Sequence, residues 1–139
     1  MLVLHHFLIT SAVGIFGMLF FDYSPYNLLL FVFGGVFIDI DHIFSYWYYT
    51  KDISYNYEKI KKWCMEIGPA MEHFFLFHTI WFVLFLWIIQ TFISFLSFLL
   101  YGVMLHVLLD IGVDVVWYFI LKKNKKPYRR WFLPKSWLG

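Results

Sequence analysis

Four long apolar stretches alternate with shorter polar segments along the chain. They cover residues 2–21, 27–48, 72–92 and 95–121. A helix that crosses a bilayer needs about 20 mostly apolar residues, and each stretch meets that length. The pattern therefore predicts an all-α fold, an integral membrane bundle of four transmembrane helices in a single domain of residues 1–139.

The connections between these stretches differ in length and character. The turn near residues 91–97 is short, so the last two helices are expected to form an antiparallel hairpin. Residues 51–69 are amphipathic and predict a short helix with an aromatic face at the membrane interface. Gly34-Gly35, inside the second stretch, permit either close helix approach or a bend. The interfacial residues expected in 51–69 are Tyr55, Tyr57, Ile60 and Trp63.

The positions of the Lys and Arg residues predict the orientation of the helices in the membrane. All 11 Lys and Arg residues follow residue 50, in clusters at 51–62 and 122–135. Because cytoplasmic segments carry the excess of Lys and Arg, the loop 49–71 and the tail 122–139 are both predicted to be cytoplasmic, with both termini inside. The N-terminus lacks the basic region of a signal peptide, so the first stretch is expected to remain a membrane helix. This predicts a multi-pass protein of the inner membrane whose partners are lipids, with no nucleic acid expected.

The composition supports a membrane protein and excludes several kinds of metal and catalytic site. The chain is 62% hydrophobic, against about 45–50% in an ordinary soluble chain, which favours the membrane interpretation. Cys64 is the single cysteine, so an intramolecular disulfide and a cysteine-rich zinc motif are excluded. No HExxH motif, phosphate-binding glycine loop or serine triad is present.

The ionisable residues inside the apolar stretches are histidines and aspartates. Such residues at membrane depth are costly and by default suggest a functional site. Imidazole and carboxylate are also usual ligands of zinc and related metals. In the predicted topology every group lies in the cytoplasmic half, which suggests one metal site. The groups are His5-His6, then Asp39, Asp41 and His42, then His73 and His78, then His106, Asp110 and Asp114.

Spacing supports shared helix faces for two of these groups. His106 and Asp110 are separated by four residues and Asp39 and His42 by three, so each pair lies on one face of a helix. Asp114 continues the first stripe by another turn, nearer the interface. The alternative for these residues is a hydrogen-bonded His–Asp pair between helices.

The remaining candidates are less constrained by spacing. Asp41 points elsewhere on an ideal helix. It is a carboxylate that orients a ligand histidine, a ligand itself if the Gly34-Gly35 region distorts the helix, or an N-cap or solvated residue near the helix end. His73 and His78 are five residues apart and share a site only if His73 lies in the entry turn and His78 in the helix, or if they approach it from two sides. His5 and His6 are neighbours, so only one is expected to face the bundle, and His6 is preferred.

At these residues the chain resembles the YdjM-type family of inner-membrane proteins regarded as metal-dependent hydrolases. The resemblance covers about residues 5–112. It rests on His6, on the Gly34-Gly35 stretch that ends in Asp39-Ile-Asp41-His42, on His73-x4-His78 and on Gly102-x3-His106-x3-Asp110. Two positions depart from the family pattern, since Ile38 replaces a proline and Phe74 replaces an arginine that often follows the first histidine. The family is remotely similar to zinc-dependent phospholipase C and P1-type nucleases, which implies hydrolysis of phosphoesters.

The sequence and the resemblance together predict a membrane-embedded metal-dependent hydrolase. Its expected substrate is a phosphoester, lipid or lipid-linked, at the cytoplasmic leaflet. Two or three ions are expected, zinc first, with manganese or iron as alternatives. Asp41 or Asp114 is the candidate general base or orienting carboxylate. The predicted metal ligands are His6, Asp39, His42, His73, His78, His106 and Asp110.

Three other functions remain open on sequence grounds. A metal-binding or metal-transporting bundle without hydrolysis would be expected to spread its ligands across the whole membrane. A haem-binding bundle needs two histidines and leaves the aspartates unexplained. A membrane interaction protein would be expected to use Asn, Gln, Ser and Thr as readily as His and Asp.

Overall fold

A computed structural model describes residues 3–66 and 76–119 of the chain, without the side chains of residues 65–66, 114 and 117–119. The described residues are helical and contain no strand, which confirms the predicted all-α membrane bundle. The helices are α1 (Val3–Phe20), α2 (Pro25–Phe37), α3 (Ile40–Thr50), α4 (Tyr57–Glu66), α5 (Ile80–Gln90) and α6 (Leu96–Phe119), with a 3₁₀ turn at Leu76–His78 before α5.

Three apolar segments are long enough to cross a membrane: Val3–Phe20, Pro25–Thr50 and Leu96–Val113. The fourth, α5, has 11 residues. At 1.5 Å per residue it covers roughly half of a hydrocarbon core of about 30 Å. The helix predicted at 72–92 is therefore shorter where the structure describes it. Residues 67–75 lie outside the described part.

Thr79 accounts for the start of α5. Its backbone is extended, and its side-chain oxygen accepts a hydrogen bond from the Phe82 N–H at 3.2 Å. This is the geometry of a helix N-cap, which ends the preceding turn and begins the helix at the next residue. His78 consequently lies in the 3₁₀ turn rather than inside a helix.

The second apolar stretch forms one membrane-length segment, Pro25–Thr50, over the helix predicted at 27–48, but the α-helix is interrupted within it. Helix α2 ends at Phe37 and α3 begins at Ile40. In a regular helix the Asp39 N–H would donate to the Gly35 carbonyl, but it donates to Val36 O at 3.2 Å. The break follows the two glycines by a few residues and lies at Ile38-Asp39.

Of the two roles expected for the glycines of α2, a bend or close helix approach, the structure has close helix approach. A Cβ at Gly34 would meet the backbone carbonyl of Leu99, and a Cβ at Gly102 would meet that of Phe31. Helices α2 and α6 therefore touch backbone to backbone, as small residues permit in membrane bundles. The core beside this contact consists of Ile38, Leu86, Leu100 and Val103.

The segment after α3 folds back onto it. Ile60 and Trp63 of α4 are buried against Tyr46 of α3. Their expected position at the membrane interface stays a prediction. Asp52 reinforces the contact, because it accepts hydrogen bonds from the Tyr46 hydroxyl at 2.9 Å and from the Lys59 ammonium at 3.1 Å. This Asp52 clasp fixes the basic loop beside α3.

Candidate metal centre

Histidines and aspartates from four parts of the fold meet in one buried cluster. They come from α1, from the break between α2 and α3 with the first turn of α3, from the 3₁₀ turn, and from α6. Their ligand atoms form three overlapping groups, within each of which all atoms lie within 4.8 Å of one another. Such groups could hold metal ions. The members are His6, Asp39, His42, His78, His106 and Asp110.

Two imidazole nitrogens and two carboxylate oxygens lie close together, and we call them the central set: His78 Nε2, His106 Nε2, Asp39 Oδ1 and Asp110 Oδ2. The two nitrogens are 3.2 Å apart. Asp39 Oδ1 lies 3.5 and 3.6 Å from them. Asp110 Oδ2 lies 3.7 and 3.8 Å from them. Ligands about 2.0 Å from one tetrahedral ion are separated by roughly 3.3 Å, so the distances from the two nitrogens to either carboxylate oxygen are close to those around one ion.

Hydrogen bonds on the far side of the rings decide which nitrogen atoms face the central set. His106 Nδ1 donates to the Gly35 carbonyl at 2.7 Å, and His78 Nδ1 donates to Asp41 at 3.0 Å. Carbonyl and carboxylate oxygens only accept, so both Nδ1 atoms carry the hydrogen. In the neutral rings both Nε2 atoms then present lone pairs to each other, an arrangement that a cation stabilises.

The helix break makes the His106 contact possible. Because the Asp39 N–H has turned to Val36 O, the Gly35 carbonyl accepts from His106 instead. The absence of a side chain at Gly102, one turn before His106, lets α6 come close enough for this bond. The close contact at Gly102 and the helix break therefore both contribute to the position of one candidate ligand, His106.

His6 marks a second position beside the central set. Its ring stacks on that of His106, with centroids 3.6 Å apart and planes at 12°. His6 Nε2 lies 3.2 Å from Asp110 Oδ1, while Asp110 Oδ2 faces the central set. His6 Nδ1 and Asp39 Oδ2 are buried without a hydrogen-bond partner in the described part of the chain. Buried polar atoms are rarely left unsatisfied, so these atoms fit a further ligand.

Asp41 is engaged by donors on both of its oxygens. Oδ1 lies 2.8 Å from His42 Nδ1, and Oδ2 accepts from His78 Nδ1 and from the Phe77 N–H at 3.1 Å. The side chain is 7% exposed. It contacts the histidines rather than the central set, which is the arrangement expected of a carboxylate that orients ligand histidines.

Six of the seven predicted ligands meet in the cluster. The seventh, His73, lies outside the described residues, and so does the side chain of Asp114. His6 is fully buried whereas His5 is exposed, in agreement with the preference for His6. Sequence reasoning missed the Gly35 carbonyl and the Phe77 N–H, because backbone groups carry no residue-type signal.

The fold and the cluster define a class, that of small helical integral membrane proteins with a buried His/Asp centre able to hold metal. Residues 1–133 match the model of the YdjM inner membrane protein family, and the chain belongs to this family. It is therefore a multi-pass protein of the inner membrane. Comparison with curated proteins and with solved structures finds no match.

Proposed function

We propose that this protein is a membrane-embedded metal-dependent hydrolase that acts on phosphoesters, lipid or lipid-linked, at the cytoplasmic leaflet. The observation that carries the proposal is the meeting of two imidazole Nε2 atoms, 3.2 Å apart, with two carboxylates in one buried cluster. Uncompensated carboxylates are costly at this depth, and bound cations would offset that cost.

The donor set supports more than one ion. The central set supplies four ligands, the usual number for zinc. His6 Nδ1 and Asp39 Oδ2 offer further donor atoms for a second ion, and Asp110 Oδ1 lies 3.2 Å from His6 Nε2 beside them. Mixed nitrogen and oxygen donors suit zinc first, and manganese or iron as alternatives. When bound, such ions activate water as a nucleophile and offset the negative charge of a phosphoester.

The chain's own residues would hold this chemistry in place. The Gly35 carbonyl and Asp41 hold the rings of His106 and His78 by their Nδ1 atoms. His42, whose side chain is 25% exposed, is the most accessible of the six cluster residues and lies where substrate would approach. Asp41 or Asp114 remains the candidate general base from the sequence.

The proposed substrate and leaflet rest on two further arguments. The family resemblance implies phosphoester chemistry. The basic loop supplies the cytoplasmic assignment through the positive-inside rule. The packing of that loop against α3, the helix that carries His42, supports a position of its lysines near the cluster. Lysines there would attract an anionic lipid headgroup.

The first test is elemental analysis of detergent-purified protein, wild type beside Asp110→Ala, His78→Ala and His5→Ala. His5→Ala is the matched control, because His5 is exposed next to the buried His6. We expect two or more zinc, manganese or iron ions per chain in wild type and control, and fewer in the two cluster variants. A wild type that stays metal-free after reconstitution with each metal would refute the proposal.

A metal-binding bundle without hydrolysis is the second candidate. The central set favours it, because four protein ligands close a tetrahedral site, whereas catalytic zinc keeps an open position. Metal-loaded protein in vesicles, assayed with a phospholipid and with a soluble phosphodiester, separates the two. Turnover that disappears in Asp110→Ala supports hydrolysis, and stoichiometric metal without turnover on either substrate supports binding alone.

A further inference from the structure

One carboxylate contacts two of the candidate ligand histidines at once. Asp41 uses Oδ1 for His42 and Oδ2 for His78, at 2.8 and 3.0 Å. These histidines come from different elements, α3 and the 3₁₀ turn. We propose that Asp41 is a positioning residue that sets the tautomers of both rings, rather than the general base. The proposal deepens the proposed function, since it assigns the metal centre its orienting group.

The two oxygens of Asp41 are not equivalent. Oδ2 receives two donors, the Phe77 N–H and His78 Nδ1, whereas Oδ1 receives His42 Nδ1. A carboxylate is an acceptor only, so each imidazole must direct a protonated Nδ1 toward it. Each ring is left with Nε2 as its ligand nitrogen. The contact with Phe77 also ties α3 to the turn that carries His78.

This asymmetry predicts what Asp41→Asn does. An amide has one oxygen and one NH₂ group, so it cannot accept on both sides. Its oxygen must take the Oδ2 position, because the Phe77 N–H would oppose a donor there. The NH₂ group then faces His42, whose Nδ1 must lose its hydrogen to accept. The proton moves to His42 Nε2 and blocks that ligand atom, while His78 keeps its tautomer.

The first readout is ¹⁵N NMR of histidine-labelled, metal-free protein at neutral pH, with His42 and His78 assigned by single His→Gln variants. We expect protonated Nδ1 at both rings in wild type. In Asp41→Asn, Nδ1 of His42 alone should become unprotonated. The matched control is Asp52→Asn, which removes a carboxylate outside the cluster and should leave both rings unchanged. Unprotonated Nδ1 at both rings in wild type would overturn the proposal, and this outcome requires no variant to fold.

The second readout is cobalt binding, followed by the visible absorption of the Co²⁺ ion. Loss of an orienting partner typically weakens metal affinity roughly tenfold to hundredfold. We expect Asp41→Asn to show that loss, yet to reach the wild-type cobalt content at saturation. Unchanged affinity would overturn the proposal, and so would a cobalt equivalent that saturation does not restore, because Asp41 would then be a ligand.

Failure of the metal proposal gives a different result. If wild type takes up no cobalt while His42 and His78 show protonated Nδ1, the proposed function fails and the positioning role of Asp41 stands as a property of the fold. If cobalt binds and the tautomer of His42 does not depend on Asp41, the metal centre of the proposed function stands and the positioning role of Asp41 fails.

Discussion

The contact between α2 and α6 at Gly102 provides a sharp test of how packing controls the metal centre. A Cβ at this position would meet the Phe31 carbonyl oxygen and, at 2.8 Å, the Gly35 nitrogen. Both are backbone atoms of α2, so no side-chain rotation relieves the contact. Gly102→Ala must therefore push the two helices apart.

The displacement can be estimated from the geometry. Ordinary contact begins at 3.4 Å, so relief at the Gly35 nitrogen alone requires roughly 0.6 Å, and the Phe31 oxygen requires more. The hydrogen bond from His106 Nδ1 to the Gly35 carbonyl, now 2.7 Å, would then approach or pass the limit of a hydrogen bond. Overpacking of this kind costs about 1–3 kcal/mol. Loss of the orienting bond should weaken metal affinity roughly tenfold or more.

The matched control is Gly112→Ala in the same helix. A Cβ there has nothing within 4 Å, and alanine is a better helix former than glycine by up to about 1 kcal/mol. Thermal unfolding in detergent and metal titration of both variants are the assays. We expect Gly102→Ala to unfold at lower temperature and bind metal more weakly, and Gly112→Ala to match or exceed wild type. Equal behaviour of the two variants would refute the argument.

Two further predictions concern the segment that follows α3, residues 51–66. Burial raises the pKa of Cys64 to about 12, so its thiol stays protonated and should react with iodoacetamide at pH 8 far more slowly than in denatured protein; equal rates would contradict this. Hydrogen bonds from Ser54, Tyr46 and Lys59 hold the pKa of Asp52 well below its ordinary value. A lowered carboxyl pKa contributes stability above about pH 4 that is lost as the pH falls further. The hydrogen-exchange protection factors of α4, which are corrected for the intrinsic pH dependence of exchange, should therefore be constant from pH 7 to 5 and lower at pH 3, unlike in Asp52→Asn.

The sequence determined the class of the protein and most of its candidate ligands. Apolar stretches near the length of a bilayer specify membrane helices, because an unpaired backbone cannot be solvated in lipid. The same cost makes histidine and aspartate conspicuous within them. Periodicity placed His106 and Asp110 on one face, and the structure has both in the central set.

Tertiary structure decided how those residues meet. The pattern did not locate the break at Ile38-Asp39, since it allowed a bend only at Gly34-Gly35 and neither Ile38 nor Asp39 is a proline or glycine. It arises where the Gly35 carbonyl exchanges its helical partner for His106, a residue that is distant in sequence. The start of α5 at Ile80 similarly depends on the local geometry of Thr79.

The different roles of the residues within the cluster are also decided by the tertiary structure. Sequence spacing places Asp41 off the face that Asp39 shares with His42 but does not decide what Asp41 contacts. In the structure Asp39 enters the central set and Asp41 contacts two Nδ1 atoms. Spacing likewise does not decide whether His5 or His6 faces inward. Residue type specifies which atoms can bind a metal. Which of them converge depends on helix rotation and backbone partners, and these are set by contacts between segments far apart in the chain.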